Sequence, residues 1–129
     1  MAKANASVNS YRDLLVWQSA MDVVERTDKL TAQFPKNEIY GITQQIQRAA
    51  VSIPSNIAEG HARASTKEFL HYISIALGSL AELETQLIVA TRLQYLRTQE
   101  LDSILQETDE TGKMLRGLQK TLMAKLRTP

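Results

Sequence analysis

Apolar residues recur every three or four positions along nearly the whole chain, and no stretch alternates in the manner of a strand. This spacing predicts amphipathic α-helices. We predict that the first helix opens at Ser10, with Asp13 as its capping-box partner, and ends at Pro35. Its buried stripe is predicted to contain Val16, Ala20, Val23, Thr27, Leu30 and Phe34.

The second helix is predicted to follow Asn37, a favourable N-cap residue, and to stop at Gly60. Its apolar line consists of Ile42, Ile46, Ala49, Ile53 and Ile57. Pro54 lies inside this helix, where it removes a backbone donor and crowds the carbonyl of Ala50. We therefore predict a kink at Pro54, with the hydroxyls of Ser52 and Ser55 and the amide of Asn56 near the freed carbonyl.

The third helix is predicted to open at Ser65, because Ser65 and Glu68 match the capping-box pattern. Its heptad seam consists of Phe69, Ile73, Ala76, Leu80, Leu83, Leu87 and Ala90. Gly78 in mid-helix costs about 1 kcal/mol, so we expect a neighbouring backbone to approach it closely. The fourth helix is predicted to start near Thr98, with an apolar face of Leu101, Ile104, Leu105, Thr108, Leu115, Leu118, Leu122 and Leu126.

The predicted links around residues 35–37, 61–65 and 94–98 are short, so successive helices must be antiparallel neighbours. We predict an all-α fold, an antiparallel up-down-up-down four-helix bundle with a proline kink in helix 2. The bundle domain spans residues 11–127, and residues 1–10 form a flexible N-terminal tail. Helices 1 and 3 have wider apolar faces than one bundle core requires, which predicts a homo-oligomer.

Composition narrows the class of protein further. The 129 residues include no cysteine, which excludes a disulfide, an iron–sulfur cluster or a thiolate zinc site. No apolar run reaches the length of a membrane span, and the N-terminus lacks the apolar middle of a signal peptide, so we expect a cytoplasmic protein without membrane contact. The net charge of +1 does not by itself indicate a polyanionic partner.

One segment is highly specific, Arg48-Ala-Ala-Val-Ser-Ile-Pro-Ser-Asn-Ile-Ala-Glu-Gly60. The supporting pieces are Asp13-Leu-Leu-Val-Trp17, Phe34-Pro35, Glu68-Phe69, Ala76-x-Gly78-Ser79-Leu80 and Tyr95-Leu96. Through them the chain from about Tyr11 to Leu122 resembles the four-helix-bundle proteins that are encoded in intervening sequences of bacterial 23S ribosomal RNA genes.

This resemblance implies a ring-shaped homopentamer. It also implies kinship to the accessory protein of diversity-generating retroelements, which is basic and engages nucleic acid and a reverse transcriptase. The resemblance implies no reaction. The chain departs from the family in two respects: Gln94 stands where glycine is usual before Tyr95, and the overall charge is nearly neutral.

Two groups of basic residues are candidate nucleic-acid contacts. From Lys113 onward the chain has five bases and no acid, and Lys113, Arg116 and Lys120 share one helix face. They could track phosphates. Alternatively, acids early and bases late in helix 4 simply complement the helix dipole. Arg63 and Lys67 flank the turn into helix 3, which is either a second phosphate contact or a solvated loop.

A second group of residues is predicted to be architectural. Arg48, Glu59 and Glu82 are placed at or near the core seams, where Arg48 could pair with a glutamate across helices or across a subunit boundary. The remaining structural or interface candidates are Ser52, Pro54, Asn56 and Gly78.

Catalytic and metal chemistry have little support in the sequence. Glu68 and His71 form a single Glu-x-x-His motif, whereas a carboxylate metal site needs two such motifs and two more glutamates. No glycine-rich phosphate loop or nucleophile–base pair is present. We therefore predict no catalytic residue, no metal and no cofactor. The expected function is a non-enzymatic oligomeric scaffold that binds RNA or DNA, with two alternatives: a protein–protein adaptor without nucleic-acid affinity, and a metal or nucleotide enzyme.

Overall fold

The computed structural model describes residues 9–127. It contains four α-helices, α1 (Leu15–Thr31), α2 (Ile42–Ala62), α3 (Thr66–Arg92) and α4 (Thr98–Arg127), and two short 3-10 helices, Tyr11–Asp13 and Lys36–Glu38. No strand occurs in this part of the chain, so the predicted all-α class is confirmed. The predicted flexible tail falls on residues 1–8, which lie outside the described residues, and on Asn9 and Ser10.

The four helices pack as a bundle. Each helix contacts the next one along the chain, and α1 also contacts α4, which closes the ring of helices around one core. The fully shielded side chains at its centre come from all four helices, and include Val23, Ile46, Ile53, Ile57, Ile73, Leu83, Leu87, Ile104 and Leu115. All of these positions belong to the predicted apolar stripes, which are confirmed there as core, whereas Leu126, also predicted on the apolar face of helix 4, is 49% exposed.

Side-chain pairs that join α1 and the residues just after it to α4 show how the two helices run past each other. The pairs are Ser19 with Thr111 (2.6 Å), Arg26 with Glu107, and Gln33 with Glu100 (2.9 Å). Residue numbers therefore rise along α1 as those of the partners fall along α4. The antiparallel up-down-up-down order stays a prediction, and these pairs agree with it.

Two of the four helix starts, those of α3 and α4, agree with the sequence. The Ser10 capping box is present, with the Ser10 hydroxyl accepting from the Arg12 amide (3.1 Å), but it caps a 3-10 turn and α1 begins only at Leu15. The Ser65 hydroxyl accepts from the Glu68 amide (3.0 Å), and α4 begins at Thr98. The predicted N-cap at Asn37 is wrong, because Asn37 lies inside the second 3-10 helix and Gly41 precedes α2.

Two predictions about glycine are also wrong. Gly60 does not stop α2, which continues to Ala62; it is buried, and a Cβ there would lie 2.7 Å from the Cβ of Tyr72. The glycine therefore lets α2 and α3 converge near their shared turn. Gly78, where a close neighbour was expected, has no atom of the described chain within 4 Å of the place a Cβ would take.

Gln94 ends α3 with a φ of 68°, the left-handed conformation that glycine adopts without strain. Its own amide donates to the Thr91 carbonyl, and the next amide, that of Tyr95, donates to the Ala90 carbonyl, both at 2.9 Å. These bonds satisfy carbonyls that the helix end leaves free. Gln94, where the resemblance leads us to expect glycine, adopts the same backbone at a cost of about 1–2 kcal/mol.

Pro54 lies within α2 and is buried. The nearby amide group of Asn56 donates to the Ser52 carbonyl (2.7 Å) and to the Ser52 hydroxyl (3.0 Å). The predicted placement of Ser52, Ser55 and Asn56 at the freed Ala50 carbonyl is not found: the side-chain bonds of Ser52 and Asn56 within residues 9–127 go to each other and to Ser79, and Ser55 is exposed. The kink itself stays a prediction.

By length and composition, α3 alone among the described helices could span a membrane, with a mean hydropathy of 1.4 over its best 18 residues. A core helix passes the same test, and the buried side chains of α3 include Ile73, Leu83 and Leu87. The hydropathy of α3 therefore does not indicate a location.

Candidate functional site

The basic residues of α4 lie on its solvent side. Lys113, Arg116 and Lys120 are all exposed, as are Lys125 and Arg127 in the last turn. The ion pairs within residues 9–127 are Arg26–Glu107, Arg63–Glu59 and Arg97–Glu100, so none of them neutralises this part of α4. We call Lys113, Arg116 and Lys120 the α4 basic face.

The guanidinium of Arg116 lies across Gly112, with its Nη1 3.3 Å from the position of a Cβ on that glycine. Gly112 is buried, and the same Cβ position is 3.2 Å from a methyl of Leu80. The small residue therefore lets both α3 and the guanidinium of Arg116 lie close to the α4 backbone.

Lys67 and the α4 basic face belong to different levels of the bundle. Glu84 accepts from Thr108 (2.7 Å) and Leu80 contacts Gly112, so each residue forward on α4 corresponds to one residue back on α3. Continuing that register brings Lys125 level with Lys67, about 18 Å along the helix from Lys113. Lys125, which is not among the predicted contacts, therefore lies near Lys67 in height, in the last turn of α4.

Arg63 is held within its own chain. Its Nη2 donates to Glu59 and to the Tyr72 hydroxyl, both at 2.8 Å, and its guanidinium stacks over the Tyr72 ring at 5.1 Å. The hydrogen bond to Glu59 raises the pKa of Arg63 above its ordinary value. Since Glu59 already balances its charge, Arg63 ties the end of α2 to α3, and any phosphate would have to compete for it.

The side chains of Arg48, Glu59 and Glu82 are exposed, so these residues lie near the core seams and not within them. The charged positions fall beside the apolar lines of α2 and α3, where water reaches them. Within residues 9–127 Arg48 forms no ion pair, so the predicted pairing across helices is not found there. Pairing across a subunit boundary stays a prediction.

Arg48 and Glu82 line the same open groove between α2 and α3, a cavity of about 350 Å³ that also borders Gln45, Ala49 and Ser52. Below it, the hydroxyls of Ser52 and Ser79 share a hydrogen bond of 2.8 Å. This bond joins α2 to α3, and Asn56 bonds to Ser52 within α2. The structural role of Ser52 and Asn56 stays a prediction.

The part of the chain that the structure describes has few side chains placed for metal binding or catalysis. No group of three or more acidic or histidine side chains is placed to hold a metal ion there. His61 packs edge-on against Phe69 (5.7 Å between ring centroids) and His71 against Tyr72 (5.5 Å). Both histidines thus contact aromatic rings near the α2–α3 turn.

Comparison with known proteins identifies relatives. The sequence pattern of a family described as "23S rRNA-intervening sequence protein" matches residues 12–117. The fold is similar to a solved structure from Bacteroides thetaiotaomicron, described as a protein of unknown function from the S23 ribosomal protein family. That match has a TM-score of 0.77 and 25% identity, and covers 82% of this chain and 96% of the other. No curated protein matches the sequence.

Proposed function

Because the chain belongs to the 23S rRNA-intervening sequence protein family, we propose that it is a non-enzymatic, homo-oligomeric scaffold that binds RNA or DNA through the α4 basic face. The observation that carries this proposal is the exposure of Lys113, Arg116 and Lys120 without any ion-pair partner within residues 9–127. Unpaired bases on one helix face can follow a line of phosphates.

Oligomerisation would strengthen nucleic-acid binding by the small α4 basic face. Each chain has a net charge of only +1, so a single copy attracts a polyanion weakly. Several copies present the same face repeatedly, and the second contact on one nucleic acid is then effectively intramolecular. A closed ring of five, the number that the family resemblance implies, would carry five such faces.

Apolar exposure supports assembly of several copies. Ile75, Val89 and Leu93 of α3 are each 38–51% exposed, although α3 is otherwise a core helix. Burial of such side chains against another copy is favourable at roughly 25 cal/mol per Å². We propose a cytoplasmic location for this assembly.

Salt titration of binding to a fluorescent single-stranded RNA tests the proposal. If the three bases of one α4 face each displace a counterion, log K should fall with log salt at a slope of about −2 per copy engaged. Undetectable binding at low salt, or binding that does not depend on salt, would refute it. Parallel titration of single-stranded DNA shows which nucleic acid is preferred.

A protein–protein adaptor is the second candidate, and one feature favours it. Tyr40 is 85% exposed and its neighbour Ile39 is 56% exposed, at the link before α2. Exposed aromatic and aliphatic side chains of this kind anchor protein interfaces. Pull-down from a nuclease-treated lysate distinguishes the two functions, because partners bound through nucleic acid are lost, whereas partners bound to the protein itself remain.

A further inference from the structure

Two cavities lie side by side between α1 and α2, and we call them together the α1–α2 groove. The first has a volume of about 370 Å³, and Thr27 is among the residues that line it. The second has a volume of about 270 Å³, and Thr43 is among the residues that line it. Asp28 and Gln47 line both cavities, so they lie where the two meet. Spaces of this size hold small organic molecules.

Each cavity is bordered by a buried hydroxyl that has no hydrogen-bond partner. Thr27 has none of its surface exposed and Thr43 has 7%, and the Oγ1 atoms of both are unpaired among residues 9–127. In that part of the chain the other buried side-chain N or O atom in this condition is Oε1 of Gln86. An unpaired buried hydroxyl destabilises the free protein, and a ligand that bonds to it removes this penalty.

The charges beside the groove indicate which chemical group binds there. Glu25 and Asp28 are exposed carboxylates without an ion-pair partner in the described chain, and both line the first cavity. A carboxylate accepts hydrogen bonds but does not donate them, whereas an ammonium group has three donors. An ammonium group in the first cavity can therefore bond to Asp28 and to the Thr27 hydroxyl together, while its apolar stem lies against Val51.

The second cavity favours a neutral polar group. Lys36 lines this cavity and not the first one, so a second positive charge there would be repelled. The Thr43 hydroxyl can donate to or accept from an uncharged hydroxyl. Thr27 shares its cavity with Ala50, and Ala50 lies seven residues along α2 from Thr43, which corresponds to about 10 Å. A short aliphatic chain covers that distance.

The side chain of Gln47 lies between the two cavities. Its Nε2 donates to the Asp28 carboxylate and to the Thr31 hydroxyl, both at 3.3 Å. These bonds are longer than the usual distance of about 2.9–3.0 Å, so they hold the amide weakly. The Gln47 side chain can therefore turn aside for a chain that passes from one cavity to the other.

We propose that the α1–α2 groove binds a small organic amine with a hydroxyl at its far end. The ammonium group bonds to Asp28 and Thr27, and the hydroxyl bonds to Thr43. The ligand thus pairs both of the hydroxyls that the free protein leaves unpaired along the groove. The site shares no residue with the α4 basic face, so it does not depend on nucleic-acid binding.

Saturation-transfer difference NMR on the full chain tests the proposal with three probes of equal chain length. These are 6-amino-1-hexanol, hexylamine, which lacks the hydroxyl, and 6-hydroxyhexanoate, which has a carboxylate in place of the ammonium group. We expect the amino alcohol to bind with a millimolar Kd, as suits so small a ligand. Hexylamine should bind about threefold more weakly, because one neutral hydrogen bond is lost, and 6-hydroxyhexanoate should not bind.

Substitutions in the groove should affect the two ends of the ligand differently. Thr27→Val should weaken binding of the amino alcohol about tenfold, because the lost hydrogen bond joins a charged group, and Asp28→Asn should weaken it at least as much. Thr43→Val should weaken it about threefold and remove its advantage over hexylamine. The matched controls Thr85→Val and Asp109→Asn change exposed residues of α3 and α4, and should bind like the wild type.

The direction of the stability change separates a ligand-binding threonine from a structural one. Each groove valine variant lacks an unpaired hydroxyl, so without ligand it should unfold at higher urea concentration than the wild type while it binds the amine more weakly. Undetectable binding of the amino alcohol, equal binding of all three probes, or wild-type affinity in Thr27→Val would overturn the inference. None of these outcomes changes the expected binding of RNA by α4, and loss of RNA binding would leave this site intact.

Discussion

Thr27 lies in the core with none of its surface exposed, yet its hydroxyl has no hydrogen-bond partner among the described residues. A buried polar group without a partner costs about 1–3 kcal/mol relative to one that stays in water. Valine has nearly the same shape and no hydroxyl. We therefore expect Thr27→Val to raise the free energy of unfolding by about 1–2 kcal/mol, which corresponds to a rise in Tm of about 3–5 °C per kcal/mol for a chain of this size.

Thr108 provides the matched control. It is equally buried, but its hydroxyl donates to the Glu84 carboxylate (2.7 Å) and also contacts the Leu105 carbonyl (3.1 Å). A hydrogen bond to a charged group contributes about 1.5–3 kcal/mol. Thr108→Val should therefore lower the free energy of unfolding by about 1.5–3 kcal/mol. The same substitution is thus expected to stabilise the protein at position 27 and to destabilise it at position 108.

Urea unfolding followed by far-ultraviolet circular dichroism measures both variants. All proteins must be compared at one concentration, because assembly makes apparent stability depend on concentration. A Thr27→Val variant that is less stable than the wild type would contradict the reasoning, since it would mean that the hydroxyl has a partner in the folded protein.

Three further predictions concern single positions, with stability measured in the same way. Gln94→Gly should stabilise the protein by about 0.5–1 kcal/mol, because it relieves the positive φ while the greater freedom of glycine in the unfolded chain offsets part of that gain. Gln106→Gly in the exposed interior of α4 should instead cost about 1 kcal/mol, and equal effects of the two substitutions would contradict this. Gly60→Ala should destabilise by about 1–3 kcal/mol through its contact with Tyr72, while Gly112→Ala, which meets the mobile end of Leu80, should be tolerated. Hydrogen bonds from the Arg97 amide and then from Gln33 lower the pKa of Glu100, so the Glu100 carboxylate stabilises the fold at pH values above its pKa in the unfolded chain. Glu100→Gln should therefore be less stable than the wild type at neutral pH. The difference in stability should vanish as the pH falls through the pKa of Glu100 in the folded protein.

Much of the fold was predictable because helical cores leave a regular mark on a sequence. Ile46, Ile53 and Ile57, or Ile73 and Leu87, repeat at the spacing that puts them on one helix face, and all are fully buried. The Ser65 cap was predictable for a similar reason, since it depends only on residues within one turn.

The wrong predictions concern residues whose role depends on the neighbouring helix or turn. Gly60 and Gly78 look alike in sequence, but one faces Tyr72 at the narrow end of α2 and α3 and the other faces outward. The difference depends on the distance between helices, which residue spacing along one helix does not contain. Asn37 has the chemistry of an N-cap, but the chain makes a 3-10 turn there and starts α2 at Ile42 instead.

The candidate site divides in the same way. The exposure of Lys113, Arg116 and Lys120 followed from the helical period, since their positions alternate with the buried Leu115 and Leu122. The hydrogen bond between Arg63 and the Tyr72 hydroxyl could not be predicted from the helical period, because it joins two helices across a turn. Likewise, the placement of Arg48 outside the core depends on how far α2 is rotated against α3.

Binding of single-stranded RNA by two charge-matched triple variants tests the central claim most directly. One variant replaces the α4 basic face by glutamine. The other replaces three exposed bases elsewhere by glutamine: Lys29, Lys36 and Arg92. Both lose three positive charges. We predict that the α4 variant alone loses at least tenfold in affinity and flattens the salt dependence, by about 0.7 units of slope for each phosphate that is no longer bound. Equal losses of affinity in the two variants would contradict the account, since binding would then depend on net charge and not on α4.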